Sequence, residues 1–126
     1  MAFKKFFSPK RGIAGKYDTP HLTISKHHVI FNEKAREQVG GAFNYVVLYF
    51  DDETDSVGLR FWKERVLDSY TVSREAKRYR DCLLINGRRF FEKFGIREIV
   101  DKVGKNTFPV VRDEKKKNFY IAALKK

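Results

Sequence analysis

The chain has 126 residues but only one cysteine, Cys82, and it has no long apolar segment. A single cysteine cannot form an internal disulfide, and its place in the apolar run 82–85 favours a core residue over a reactive thiol. No segment approaches the roughly 18 consecutive apolar residues of a membrane span. The opening MAFKKFF is short and is soon followed by Pro9, Lys10 and Arg11, unlike a secretory signal. These features predict a cytoplasmic protein without membrane association.

The sequence also lacks the motifs that usually carry catalysis. It contains no glycine-rich phosphate loop and no G-x-S-x-G. Residues 51–62 begin with alternating carboxylates, but Ser56 stands where a calcium loop needs glycine and Trp62 where it needs glutamate. The three histidines have no cysteine or acidic set to complete a zinc site. We expect no catalytic residues, no metal and no cofactor; a nuclease with dispersed carboxylates is the alternative.

What the chain does have is positive charge. It carries 27 Lys and Arg against 16 Asp and Glu, a net charge of +11 and a pI of about 9.8. The excess is uneven, with +5 in residues 1–28, −3 in 29–70 and +9 in 71–126. This asymmetry favours a polyanion-binding face. A highly charged, thermophile-type surface is the other interpretation of the same composition.

The hydrophobic pattern predicts a strand, a short helix and a hairpin between residues 24 and 61. Residues 45–50 (YVVLYF) form an apolar run typical of a central strand buried on both faces. Acidic residues 51–56 then predict a turn, and alternating apolar residues in 57–61 predict a half-exposed second strand. Upstream, apolar residues recur every four positions in 31–39, with Asn32 as a cap and Gly40 as a stop.

The same order of elements recurs later in the chain. An offset of 55 aligns Val39-Gly40 with Phe94-Gly95 and Ile30 with Ile85. An offset of 62 aligns Asp51 with Asp113, and the difference of 7 places an insertion within residues 97–105. The second offset aligns three apolar positions of the first hairpin, Val57, Leu59 and Phe61, with Phe119, Ile121 and Ala123.

We therefore predict a single small α+β domain in which two βαββ units form a barrel-like or packed antiparallel sheet. The predicted parts are a basic arm (1–20), a first half (22–62), a basic linker (63–81) and a second half (82–124).

Residues 29–61 resemble the AbrB/MazE-type swapped-hairpin domain, a dimeric DNA-binding fold. Val29 to Gly40 match best, with Arg36 at the helical arginine and Gly40 at the glycine of that family. Phe31-Asn32 and His28 depart from its pattern, and the second half shares only the layout and Phe94-Gly95-Ile96. The resemblance implies double-stranded DNA as ligand and a covalent pseudo-dimer; a homodimer is also open.

Three groups of basic residues are candidates for phosphate contact. In the arm, phenylalanines between the cations either stack on bases or anchor the arm to the core. In the linker, basic residues lie near Tyr70 and Tyr79, although a solvated linker explains them equally well. In the second helix, two arginines occupy the first turn, where cations gain nothing from the helix dipole. The candidates are Lys4, Lys5, Lys10 and Arg11 of the arm, Arg74, Lys77, Arg78 and Arg80 of the linker, and Lys34, Arg36, Arg88, Arg89 and Lys93 of the helices.

The sequence thus predicts a non-catalytic nucleic-acid-binding protein, a small regulator that holds double-stranded DNA through phosphate contacts. A protein-interaction or assembly accessory protein, of phage or mobile-element type, with an acidic partner is the second possibility. RNA or single-strand binding, with Tyr70, Tyr79 and Phe7 as stacking rings, is the third.

Overall fold

The computed structural model describes residues 18–74 and 81–126, which form nine strands and three helices. The predicted arm therefore lies outside the described residues up to position 17, as do residues 75–80 of the predicted linker. In chain order the elements are β1 (His21–Ser25), β2 (His28–Phe31), α1 (Glu33–Val39), β3 (Tyr45–Asp51), β4 (Ser56–Trp62), β5 (Tyr70–Ser73), β6 (Leu83–Asn86), α2 (Arg88–Phe94), α3 (Ile96–Val103), β7 (Thr107–Pro109), β8 (Val111–Arg112) and β9 (Phe119–Ala123).

The first helix has the predicted caps. The Asn32 side chain accepts a hydrogen bond from the Ala35 amide at 3.0 Å, and Gly40 ends the helix at a φ of 83°. Asn32 also accepts from the His21 amide at 3.1 Å and donates to the Thr19 carbonyl at 2.8 Å. One buried side chain therefore ties the start of β1 to the start of α1.

The β3–β4 hairpin has the predicted turn, but β3 is not buried on both faces as the sequence suggested. In β3 only Val46 is fully buried, whereas Tyr49 is 45% exposed. Leu48 and Phe50 pack against the core on the inner face, and Val47 and Tyr49 occupy the outer face. The apolar run contains an outer row of side chains as well as a core row.

The nine strands form one antiparallel sheet in the order β7-β1-β2-β6-β5-β3-β4-β9-β8. The two ends of this order, β7 and β8, are separated in the chain by Val110 alone, so the sheet nearly closes on itself. The Val110 amide donates to the Pro20 carbonyl at 3.0 Å beside β1. The barrel-like α+β domain expected from the sequence is confirmed at this level.

The core inside the barrel centres on three aromatic rings from distant parts of the chain. Phe31, Phe61 and Tyr120 lie with ring centroids 5.6 to 6.0 Å apart, and each is almost fully buried. The Tyr120 hydroxyl donates to the Gln38 carbonyl at the end of α1 at 3.1 Å. Burial raises the pKa of this phenol.

The second half follows the predicted layout with an added helix. The predicted insertion within 97–105 falls largely in α3, which begins directly after Gly95 ends α2 at a φ of 61°. Ile30 and Ile85, aligned by the offset of 55, are both buried but belong to different clusters, because Ile30 packs with Cys82.

The predicted alignment of β4 with β9 is wrong by one residue. Four residues separate the paired Asp51 and Ser56, but five separate Asp113 from Phe119, whose carbonyl accepts from the Asp113 amide at 2.8 Å. A slip of one residue moves every side chain to the other face. The core residues of the last strand region are Tyr120, Ala122 and Leu124, not Phe119, Ile121 and Ala123.

The predicted linker 63–81 contributes structure of its own. Its residues 70–73 form β5, which lies between β6 and β3 in the sheet.

Cys82 is buried as expected, and burial raises the pKa of its thiol. None of the helices in residues 18–74 and 81–126 has the length and apolar character of a membrane span.

Replacing Asn32 with alanine should lower the free energy of unfolding by about 2 to 3 kcal/mol, because a cap is lost and buried main-chain groups lose partners. Urea denaturation measures the loss. Asn86→Ala is the matched control, since exposed Asn86 also accepts from an amide at a helix start, that of Arg88, at 3.3 Å. A cost for Asn32→Ala no larger than for the control would contradict the proposed tie between β1 and α1.

Candidate nucleic-acid interface

Six of the thirteen predicted phosphate-binding residues lie in the described part of the chain. These are Lys34, Arg36, Arg74, Arg88, Arg89 and Lys93. The other seven, Lys4, Lys5, Lys10, Arg11, Lys77, Arg78 and Arg80, lie outside the described residues.

Two of the six, Arg36 and Arg74, use their guanidinium groups within the fold. Arg36 donates to the Cys82 carbonyl at 3.3 Å. Arg74 donates through Nη2 to the carbonyls of Gly40 (3.0 Å) and Phe43. Burial, and then the positive charge of Arg36, lower the pKa of Arg74. Arg74 therefore fixes the loop that follows α1.

The predicted cations of α2 are exposed and lie apart from the start of α1. Arg88 forms an ion pair with Glu92, with Nε and Oε2 3.1 Å apart, and Lys93 lies over the Phe94 ring with Nζ 5.5 Å from its centroid. The two helices begin at opposite ends of the paired strands β2 and β6, because Phe31 is opposite Leu83 and His28 opposite Asn86. The four paired residues of these strands lie between the two helix starts, which are therefore more than about 10 Å apart.

A basic groove that the sequence analysis did not predict lies where β4 and β8 end. Three chain segments meet there through main-chain hydrogen bonds: Phe61 N donates to Asn118 O at 2.9 Å, and Asn44 N donates to Trp62 O at 3.2 Å. The groove encloses about 720 Å³. We define this basic groove by the side chains of Phe43, Trp62, Lys63, Arg65, Arg112 and Lys117.

A cation lies beside each of the two aromatic rings of the basic groove. All four cationic residues are exposed, and Glu64 is the acidic residue in its lining. Lys63 Nζ lies 5.9 Å from the centroid of Phe43, and the Arg60 guanidinium lies 4.7 Å from the centroid of Trp62. The buried Trp62 Nε1 has no hydrogen-bond partner among the described residues, so packing and Arg60 hold this ring. The groove is complementary to an extended anion that also carries flat rings.

The lining cations were missed because they belong to separate short segments. Lys63 and Arg65 follow a strand, and the sequence analysis assigned them to a linker. Lys117 lies in a charged turn, and charged turns commonly serve to deter edge pairing. The sequence does contain one sign of the groove, which is the pair of cations Lys63 and Arg65 just after Trp62. Only the pairing of β4 with β9 brings Arg112 and Lys117 close to that pair.

Metal-ligating side chains do not assemble in the described ranges. Among residues 18–74 and 81–126, no group of three or more His, Cys, Asp or Glu could hold a metal ion. His27 and His28 lie at the β1–β2 turn with ring centroids 4.9 Å apart.

Replacing Arg74 with methionine should lower the free energy of unfolding by about 1 to 3 kcal/mol, because it leaves the carbonyls of Gly40 and Phe43 without their donor. Urea denaturation measures the change. Lys117→Met, which removes an exposed cation, should cost less than about 0.5 kcal/mol. Equal stability of the two variants would show that Arg74 does not fix the loop.

Comparison with protein-family models, with curated proteins and with solved structures finds no match. The resemblance of residues 29–61 to the AbrB/MazE-type domain therefore stays a prediction. The geometry and charge of the basic groove are the basis for the function proposed below.

Proposed function

We propose that this domain is a non-catalytic nucleic-acid-binding protein that holds the phosphate backbone in the basic groove. The presence of four exposed cations, on two chain segments and beside two aromatic rings, carries the proposal. Phosphates bind such clusters by charge, and aromatic rings can stack on bases at the same site.

The arrangement of the cations supports a long polyanion over a small anion. Lys63 and Arg65 follow β4, whereas Arg112 and Lys117 lie at the base and turn of the β8–β9 hairpin. Exposed cations on two chain segments along an open groove can contact successive phosphates, whereas a small anion usually needs donors that converge on one point. The net charge of +11 adds long-range attraction to the same ligand.

The duplicated architecture remains part of the proposal. The strand order supports duplication. Counted inward to the neighbouring strands β2 and β6, the order β7-β1-β2 on one side mirrors β3-β5-β6 on the other. The two helices α1 and α2 each have seven residues and end at a glycine with positive φ. Regulation through double-stranded DNA follows from the AbrB-like resemblance, and a homodimer is a separate possibility; both stay predictions.

Binding should appear in fluorescence anisotropy with labelled duplex DNA, single-stranded DNA and RNA of equal length, measured over a salt series. The affinity should fall steeply with salt concentration as phosphate contacts release counterions. Replacing Arg65, Arg112 and Lys117 with alanine should weaken binding at least tenfold and reduce the slope of log K against log salt by about 2 to 3.

Two variants with the same change in charge serve as comparisons. Replacing Arg97, Lys102 and Lys125 with alanine should leave affinity within about threefold, the remaining effect being that of net charge. Replacing Arg88, Arg89 and Lys93 tests the cations of α2 that the sequence predicted as phosphate contacts. Wild-type protein that binds none of the three nucleic acids at about 50 mM salt would end the proposal, and an acidic protein partner would take its place.

A further inference from the structure

The outer face of the sheet formed by β3, β4, β9 and β8 is unusually apolar. Antiparallel sheets with one solvated face normally place polar side chains on it. Here the registers put Tyr49 opposite Gly58, Gly58 opposite Ile121, and Ile121 opposite Val111, in one row across four strands. Tyr49 is 45% exposed and Val111 is 64% exposed. A row of this kind is typical of a binding surface.

The middle of this row is Gly58, which has no side chain, and the neighbouring Phe119 ring lies over it. A Cβ atom at Gly58 would come within 2.6 Å of Phe119 Cζ, so the Phe119 ring occupies the space above the glycine. The Tyr49 ring meets Phe119 edge-on, with centroids 5.6 Å apart. We call the site formed by Tyr49, Gly58, Phe119 and Ile121 the aromatic notch; it opens into a cavity of about 500 Å³.

Charged groups surround the aromatic notch in a mixed arrangement. Arg60 and Lys116 line the cavity, and Lys116 Nζ lies 5.1 Å from the Phe119 centroid. Asp51 and Asp113 also line it; each uses Oδ1 to accept from the amide two residues later, at 3.0 Å. A phosphate inside the cavity would meet these carboxylates. A base would place its flat face on the rings and its amino or imino hydrogens toward the carboxylates.

The aromatic notch and the basic groove lie along the same strand. Gly58, Arg60 and Trp62 are successive outer residues of β4, and the Arg60 guanidinium covers the Trp62 ring. The four residue steps from Gly58 to Trp62 span about 13 Å, the length of about four stacked nucleotides at 3.4 Å each. A single strand could therefore occupy both sites at once.

We propose that the aromatic notch binds an unpaired nucleobase of a single-stranded nucleic acid whose phosphates lie in the basic groove. This inference rests on the proposed function. A base within a duplex is stacked on both sides, and its faces are not available to a protein ring. An unpaired base presents a face to Tyr49, and such stacking is tolerant of base identity.

The test uses the full chain with Tyr49→Ser, and Tyr49→Phe as the variant that keeps the ring. Ligands are a single-stranded oligonucleotide, its duplex and an abasic strand of equal length, measured by fluorescence anisotropy. Tyr49→Ser should weaken single-strand binding by about 5 to 100-fold, the range found for removal of one stacking ring. Tyr49→Phe should stay within twofold of wild type, and both variants should match wild type on duplex and abasic strands. Circular dichroism and urea midpoints establish that the variants are folded.

The outcomes separate this inference from the proposed function. If Tyr49→Ser binds the single strand as well as wild type does, or weakens all three ligands equally, the base site is wrong and the basic groove stands. If wild type binds none of the ligands, both proposals fail. If wild type binds no single strand but sediments as a dimer that Tyr49→Ser dissociates, the outer face joins two copies of the chain instead.

Discussion

The antiparallel pairing of β4 with β9 is the contact on which the rest of the arrangement depends. It joins residues about 60 positions apart and sets Gly58 opposite Ile121 and Leu59 opposite Tyr120. On the inner face it brings Tyr120 to Phe61 and Phe31, and through the tyrosine hydroxyl to the end of α1. On the outer face it creates the aromatic notch. Beyond the strand ends it brings the turn with Lys117 beside Lys63 and Arg65.

This pairing also separates two roles for aromatic residues that look alike in the sequence. Phe61 in β4 and Tyr120 in β9 point inward and are buried. Tyr49 in β3 and Phe119 in β9 point outward. Burial of the inward set stabilises the barrel by removing apolar area from water. The outward set leaves apolar area in contact with solvent, a cost for which the proposed base-binding role would account.

Local chemistry in the sequence was sufficient to predict the short elements. The caps of α1 at Asn32 and Gly40 and the acidic turn before β4 depend on neighbouring residues, and the structure has all of them. The prediction that β3 is buried on both faces was wrong because Tyr49 continues the apolar run in the sequence just as a core residue would. The one-residue error in β9 arose because the turn after Asp113 is one residue longer than the turn after Asp51.

The basic groove could not be predicted from the sequence, for a different reason. Its cations come from segments that meet only after β4 and β9 pair, and no period or spacing connects Arg65 with Arg112. The predicted cations that the structure describes divide by environment. Arg36 and Arg74 serve main-chain carbonyls, whereas those of α2 are exposed at a separate end of the fold. The charge composition indicated polyanions as the class of ligand. The pairing of β4 with β9 indicates the basic groove as the surface proposed to bind them.

The most direct test is an NMR titration of the ¹⁵N-labelled chain with an unlabelled single-stranded oligonucleotide at low salt. If the strand binds in the basic groove and the aromatic notch, the largest amide shifts should fall in residues 62–66 and 112–119, together with Tyr49 and Gly58. Shifts at the helix starts, residues 33–36 and 88–93, should be small. Shifts concentrated at the helix starts, with the groove and notch amides unchanged, would contradict this mode of binding.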